Sequence, residues 1–208
     1  MTRAGKAKLM TGLGRFYTVL VYIFLFLPIS VIVANSMNAT TSKPYLSWKG
    51  FTLSWYAKLW SNTELLSSFG NTMIIAIVST LVSTAIGALA AVGLYRYRFR
   101  GKDLINGLLY IPVVIPEIVF GISLLSMFAK MSIPRGMFTL ILAHISFSVP
   151  FVVFNVRACL TNYDISVEEA SMDLGANRVK TFFNVTFPML MPGITGGALL
   201  AFTLSIDD

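Results

Sequence analysis

The sequence predicts an all-α, polytopic membrane protein, and three observations carry that reading. Mean hydropathy is +0.76. Charged residues make up only 12% of 208. The apolar residues fall in runs of about 20, the length at which a helix crosses a hydrocarbon layer. Such a composition excludes an ordinary soluble domain and a disordered chain alike. The net charge of +7 does not imply nucleic acid, because the basic residues gather at the ends of the apolar runs. The single cysteine, Cys159, excludes an internal disulfide and a cysteine-based metal site, and reads as a packing residue. The single histidine, His144, stands in an apolar run and reads as a satisfied intramembrane hydrogen-bonder.

Taken in order, residues 1–15 form a basic N-terminal segment, and the first span runs from Phe16 to Ala34. It is too long for a signal-peptide core and lacks a clean small-x-small cleavage site, so it reads as an anchor. A polar loop, 35–68, carries Trp48, Trp55 and Trp60, residues that mark a lipid–water interface or meet an external partner. Within it, Ser54 to Leu66 suits a short helix lying along the membrane surface, with Trp55, Leu59 and Leu66 on it. Further spans follow from Phe69 to Leu94, Leu104 to Phe128 and Met137 to Val156, and a fifth starts near Pro192. From Pro192 the chain rises only about 24 Å before Asp208. A full crossing needs about 30 Å, so the sequence reads as the N-terminal portion of a longer protein.

Basic residues set the orientation. Arg3, Lys6, Lys8, Arg15, Arg96, Arg98, Arg100, Lys102, Arg157, Arg178 and Lys180 fall on one side, eleven in all. Lys43, Lys49, Lys58, Lys130 and Arg135 make five on the other. The N-terminus and the loop 157–190 are therefore expected in the cytoplasm, and the loop 35–68 outside.

The cytoplasmic loop is the most informative segment. Ser166 stands three residues before Glu169, the spacing of a capping box. Gly175 is placed to stop that helix at positive φ. Asn177 can cap a second helix with Val179, Phe182 and Phe183 on one face, ended by Pro188. A two-helix knuckle between spans is built to meet something in the aqueous phase. Acidic residues within the spans are few. Glu117 follows Pro112 and Pro116, which interrupt the third span, and Asp207 and Asp208 lie in the fifth. Measured along straight helices all three fall in the outer half of the bilayer, where interrupted helices line transport paths. They are expected to form an anionic vestibule for a cationic substrate.

The segment Glu169-Ala170-Ser171, three residues, Gly175, nine residues, then Val185-x-Phe187-Pro188 resembles the "EAA" loop of bacterial type I ABC-importer permeases, with Ser171, Val185 and Phe187 as conservative departures. The stretches Trp48 to Tyr56, Ala91 to Lys102, His144 to Val153 and Ala201 to Asp208 resemble the polyamine (spermidine/putrescine) branch of that family. The resemblance extends over nearly the whole chain. It implies a type I importer transmembrane domain over residues 16–208, in the bacterial inner membrane. It also implies a second permease subunit as heterodimer partner, two ATPase subunits and a periplasmic substrate-binding protein. Ser166, Glu168, Glu169, Ala170, Ser171, Asp173, Leu174, Gly175 and Pro188 would then belong to the coupling loop. The chain has no G-x-x-x-x-G-K-[ST] phosphate loop, so ATP and magnesium are expected on the ATPase chain and no bond chemistry on this one. Another solute of the same family stays open. An ion-coupled secondary transporter would show an inverted repeat, and none is visible. An intramembrane protease would need paired catalytic residues inside the spans, and none is suitably spaced.

Overall fold

A computed structural model describes residues 3–41, 47–161 and 163–207, with side chains from Met10 onward. Lys43 and Asp208 lie outside the described residues, as do the side chains of Arg3, Lys6 and Lys8. Every helix or strand element among the described residues is helical, apart from one isolated antiparallel bridge between Asn38 and Phe51. The chain divides into two units, Met1–Leu66 and Ser67–Asp208.

In the first unit, helix α1 (Arg3–Ser36) contains a stretch, Met10–Ser36, long and apolar enough to cross a membrane. Leu20, Phe24 and Ile32 are exposed along it, as expected of side chains that meet lipid. The loop after α1 is organised by buried Asn38. Its Oδ1 accepts the Lys49 N–H at 2.9 Å and the Thr40 N–H at 3.3 Å, and its Nδ2 donates to the Ser47 carbonyl at 3.0 Å. The Trp55 indole N–H donates to the Asn38 carbonyl at 2.9 Å, so Trp55 ties the loop internally, whereas Trp48 and Trp60 stay exposed. The expected surface helix is shorter than the sequence suggested: α2 (Ser54–Ser61) stops at Asn62. The Asn62 side chain accepts the Leu65 N–H and caps α3 (Thr63–Arg96), which claims Leu66.

In the second unit the expected third span is broken. It forms α4 (Lys102–Val114) and α5 (Glu117–Lys130), bent by 114°. Pro116 causes the break. A residue before proline is driven out of the helical region, and Ile115 adopts φ −75°, ψ 133°. The path to Glu117 from the Lys102 end is the single helix α4, so the bend alters the course of the chain only from Glu117 onward, where a new helix runs in another direction.

The core lies between α6 (Met137–Thr161) and α9 (Phe187–Asp207), which pack along much of their length. Val152, Val153, Val156 and Leu160 of α6 meet Leu190 and Ala201 of α9 and Ala91 and Leu94 of α3. Glycine makes this approach possible. A Cβ on Gly193 would stand 2.8 Å from Cys159 Sγ, and one on Gly197 would stand 3.0 Å from Val152 Cα. Close helix contact through small residues suits a membrane bundle, where the hydrophobic effect does not drive helices together. The role expected of Cys159 as a packing residue agrees with this placement. His144 is hydrogen-bonded, its Nδ1 lying 2.7 Å from Ser205 Oγ, and Ser205 Oγ is 3.1 Å from Ser79 Oγ, so a polar tie joins α6, α9 and α3.

Candidate functional site

Two features stand out in the second unit: the loop between α6 and α9, and a cavity beside Glu117. The loop begins with α7 (Ser166–Asp173). The capping box expected of Ser166 and Glu169 does not form. Instead Asp164 Oδ1 accepts the Ser166 N–H at 2.9 Å, an Asx turn that starts the helix one step earlier. Its bond to that N–H holds the Asp164 carboxyl below the usual range.

The other end behaves as the sequence indicated. Gly175 takes φ +87°. Its N–H donates to Met172 O at 2.9 Å, and the Ala176 N–H donates to Ser171 O at 3.2 Å, the pair of bonds of a Schellman close. Asn177 Oδ1 then accepts the Lys180 N–H at 2.8 Å and starts α8 (Arg178–Thr181).

Beyond that point two expectations fail. Pro188 does not end the second helix. A π-helical turn, Phe182–Thr186, leads straight into α9 and carries the chain past Pro188 without a break. The widened turn accommodates the N–H that proline lacks. For the same reason the last candidate span runs from Arg178 to Asp207, starting well ahead of Pro192. The face expected to carry Val179, Phe182 and Phe183 is not turned inward. Val179 and Phe183 are exposed, and the residues that point inward are Thr181 and Thr186.

The two adjacent glutamates separate. Glu169 is exposed with Asp173, and Leu174 beside them is 90% exposed. Ala170 and Gly175 share that open surface, and Ser171 turns back so that its Oγ lies 3.2 Å from Thr181 Oγ1. Glu168 is only 7% exposed. Its Oε1 accepts bonds from Arg96 Nη2, Tyr163 Oη and, at 2.6 Å, Thr186 Oγ1. Burial pushes the Glu168 carboxyl up, but the hydroxyls of Thr186 and Tyr163 and the Arg96 charge outweigh it and hold the group below the usual range. Burial and the neighbouring carboxylate push the Tyr163 phenol up to about 12. Sequence reasoning missed Arg96, Tyr163 and Thr186 as members of this cluster. Arg96 read only as a topology charge, and no local signal links it to Glu168, 72 positions away.

The cavity has a volume of about 470 Å³ and is lined by Glu117, Phe120, Phe128, Thr139, His144 and Phe147, among others. It therefore brings Glu117 and His144 to one space. Asp207, exposed at the end of α9, does not line it, although Ser205 on the same helix holds His144. Among the described residues no cluster of His, Cys, Asp and Glu could hold a metal ion.

Comparison with known proteins bears on the chain's family and fold. The family model described as "Binding-protein-dependent transport system inner membrane component" matches residues 83–208. The spermidine/putrescine transport system permease protein PotC of Escherichia coli K12 is 40% identical over 195 residues, covering 94% of this chain and 73% of its own. The PotC of Haemophilus influenzae is 39% identical over 188 residues, covering 90% and 72%. The putrescine transport system permease protein PotI of E. coli K12 is 38% identical over 194 residues, covering 90% and 68%. Among solved structures, a bacterial ABC transporter involved in import of the acidic polysaccharide alginate superposes with a TM-score of 0.72 at 16% identity, covering 99% of this chain and 72% of that one. At that identity the likeness shows the fold.

Proposed function

We propose a specific role for this chain, which belongs to the family of binding-protein-dependent transport system inner membrane components: it forms half of the translocation path of an ATP-driven polyamine importer and couples that path to a separate ATPase subunit. As a transport component it is not itself an enzyme. The observation that carries the coupling role is the division of labour in α7. One face is fastened inward through Glu168, while Glu169, Asp173 and Leu174 stand outward on a helix closed by Gly175. An acidic face around an exposed leucine suits a groove with basic and apolar walls on an ATP-hydrolysing partner.

The polyamine reading rests on relatives named for spermidine and putrescine transport. The cavity is compatible with it. A carboxylate, Glu117, pairs with an ammonium, and the rings of Phe120 and Phe147 can face the same cation. The orientation proposed puts the N-terminus and α7 in the cytoplasm. Arg96 meets Glu168 and Thr186, and Arg157 donates to Asn106 at 3.0 Å, so the ends of α3 and α6 and the start of α9 gather at the arginine-rich end.

In the proposed cycle a loaded periplasmic protein docks outside on this chain and a second permease subunit. ATP binding draws two ATPase subunits together, and their motion carries α7. The spans then pass from inward-open to outward-open and accept the polyamine, and hydrolysis resets them. Cysteines placed singly at positions 166–176 should cross-link to an ATP-hydrolysing neighbour in native membranes, most strongly at 169, 173 and 174. Glu169→Lys should abolish uptake while leaving membrane insertion intact. Absence of any cross-link, or uptake that survives Glu169→Lys, removes the coupling role. Glu117→Gln should lower polyamine uptake, and unchanged uptake takes Glu117 out of the path.

A further inference from the structure

We infer that Arg96, Tyr163 and Thr186 act as positioning residues which, through Glu168, fasten α7 to α3 and α9, so that displacement of α7 reaches two membrane spans at once. The inference rests on the coupling role proposed above for α7.

The geometry is convergent. A single carboxylate oxygen accepts from three donors that belong to three places in the chain. Arg96 is the last residue of α3, Tyr163 stands in the link from α6 to α7, and Thr186 is the last residue of the π turn that feeds α9. The network is closed on itself, because Thr186 Oγ1 also lies 3.4 Å from Arg96 Nη2 and 3.3 Å from Tyr163 Oη. Mutually polarising bonds of this kind act as a unit.

Helix formation does not require this arrangement. α7 already has an Asx start at Asp164 and a Schellman close at Gly175. Burying a carboxylate is costly unless every bond is made, and an apolar side chain at position 168 would pack without that cost. What the charge adds is direction. One guanidinium N–H and two hydroxyls converging on Oε1 fix where the carboxylate sits, whereas an apolar contact allows sliding. α7 spans eight residues, too few to be stable in isolation. It packs on α8 and the π turn. Its hold on α3 runs through Arg96, and that bond turns a docking helix into a lever on a membrane span.

The test uses the complete transporter in proteoliposomes, with radiolabelled putrescine or spermidine as the solute. Copurification of the ATPase, ATP hydrolysis and uptake are measured separately. Glu168→Gln and Arg96→Gln should copurify normally and hydrolyse ATP within about twofold of the parent, while uptake falls about tenfold, within the range found for residues that carry coupling. Tyr163→Phe and Thr186→Val each remove one donor and leave the ion pair, so each should give a smaller loss in the same direction. The charge swap Arg96→Glu with Glu168→Arg should recover part of the uptake lost by either single change. Unaltered uptake in Glu168→Gln overturns the inference. So does uptake that falls only in step with hydrolysis, and so does loss of assembly in all four variants, which would make the cluster a fold staple. The coupling role itself is read independently, from capture of the ATPase by Leu174→Cys in the otherwise unchanged protein.

Discussion

Replacing Gly193 with alanine tests the account of how α9 is held against α6. The added Cβ would lie 2.8 Å from Cys159 Sγ, 2.9 Å from Asn155 O and 3.0 Å from Val156 Cα. Comfortable separations between such atoms are about 3.5–4.0 Å, so the helices must part by several tenths of an ångström. Two of the three obstacles are backbone, which cannot swing aside. Overpacking of this kind costs about 1–3 kcal/mol. Alanine also favours a helix over glycine by about 1 kcal/mol, a gain that would hide part of the loss. Gly196 supplies the correction. It lies in the same helix, and its Cβ would meet only Asn155 Oδ1, at 3.6 Å. The propensity gain is shared by Gly193→Ala and Gly196→Ala, so the difference between them isolates the steric cost, about 1–3 kcal/mol. Thermal unfolding in detergent, followed by aggregation and by tryptophan fluorescence, reads that difference as a lower transition for Gly193→Ala. Adding Cys159→Ala should recover only part of it, because Asn155 O and Val156 Cα remain. Equal transitions for the two alanine variants would refute the close packing of α6 and α9 at this point.

Other predictions follow from the same structure. The Glu168 carboxyl is held below its ordinary 4.5 in the folded protein. Its contribution to stability is therefore present above that value and is lost as pH falls through the lowered one. The Tyr163 phenol is raised from 10.0 to about 12, so its contribution is full below 10.0 and is lost between 10.0 and about 12. Transition temperatures across pH should show both limbs, with the acid limb weakened in Glu168→Gln and the alkaline limb weakened in Tyr163→Phe. Asn38→Ala removes three hydrogen bonds from a residue only 2% exposed. It should loosen the loop at a local cost of about 1–3 kcal/mol, seen as faster proteolysis between Asn38 and Phe51 with the rest of the chain unaffected.

What the sequence disclosed was local. Apolar runs gave the helices, because a chain crossing lipid must satisfy its backbone within each segment. Gly175 and Asn177 were legible because a positive φ and a helix start each demand a short list of residues. The failures share a different cause. Asp164 and Ser166 both suit a helix start, and side-chain type alone does not choose between an Asx turn and a capping box. Pro188 signals a helix end by default, yet a π turn ahead of it removes the conflict, and only the folded backbone reveals that turn. The 114° bend at Pro116 did have a signal, since the residue before a proline avoids the helical region. Pro116 accordingly marks an interruption of the third span in the sequence itself, although it does not fix the size of the bend. The Arg96–Glu168 pair had none, because contact across 72 positions is a property of the packed bundle.

The adjacent pair Glu168 and Glu169 shows why composition could not separate the two roles. At 3.6 residues per turn, neighbouring side chains point about 100° apart. One glutamate can then face the bundle while the next faces solvent. Which does which depends on the phase of α7, and that phase is fixed from outside the pair. The Asx turn at Asp164 sets where the helix begins, and Gly175 sets where it must stop. Between those limits the buried Glu168 meets Arg96, Tyr163 and Thr186, and Glu169, Asp173 and Leu174 are left outward by the same rotation. The inner anchor and the outer face are thus one geometric consequence of the helix register. A change that turned α7 would release the anchor and withdraw the docking face together.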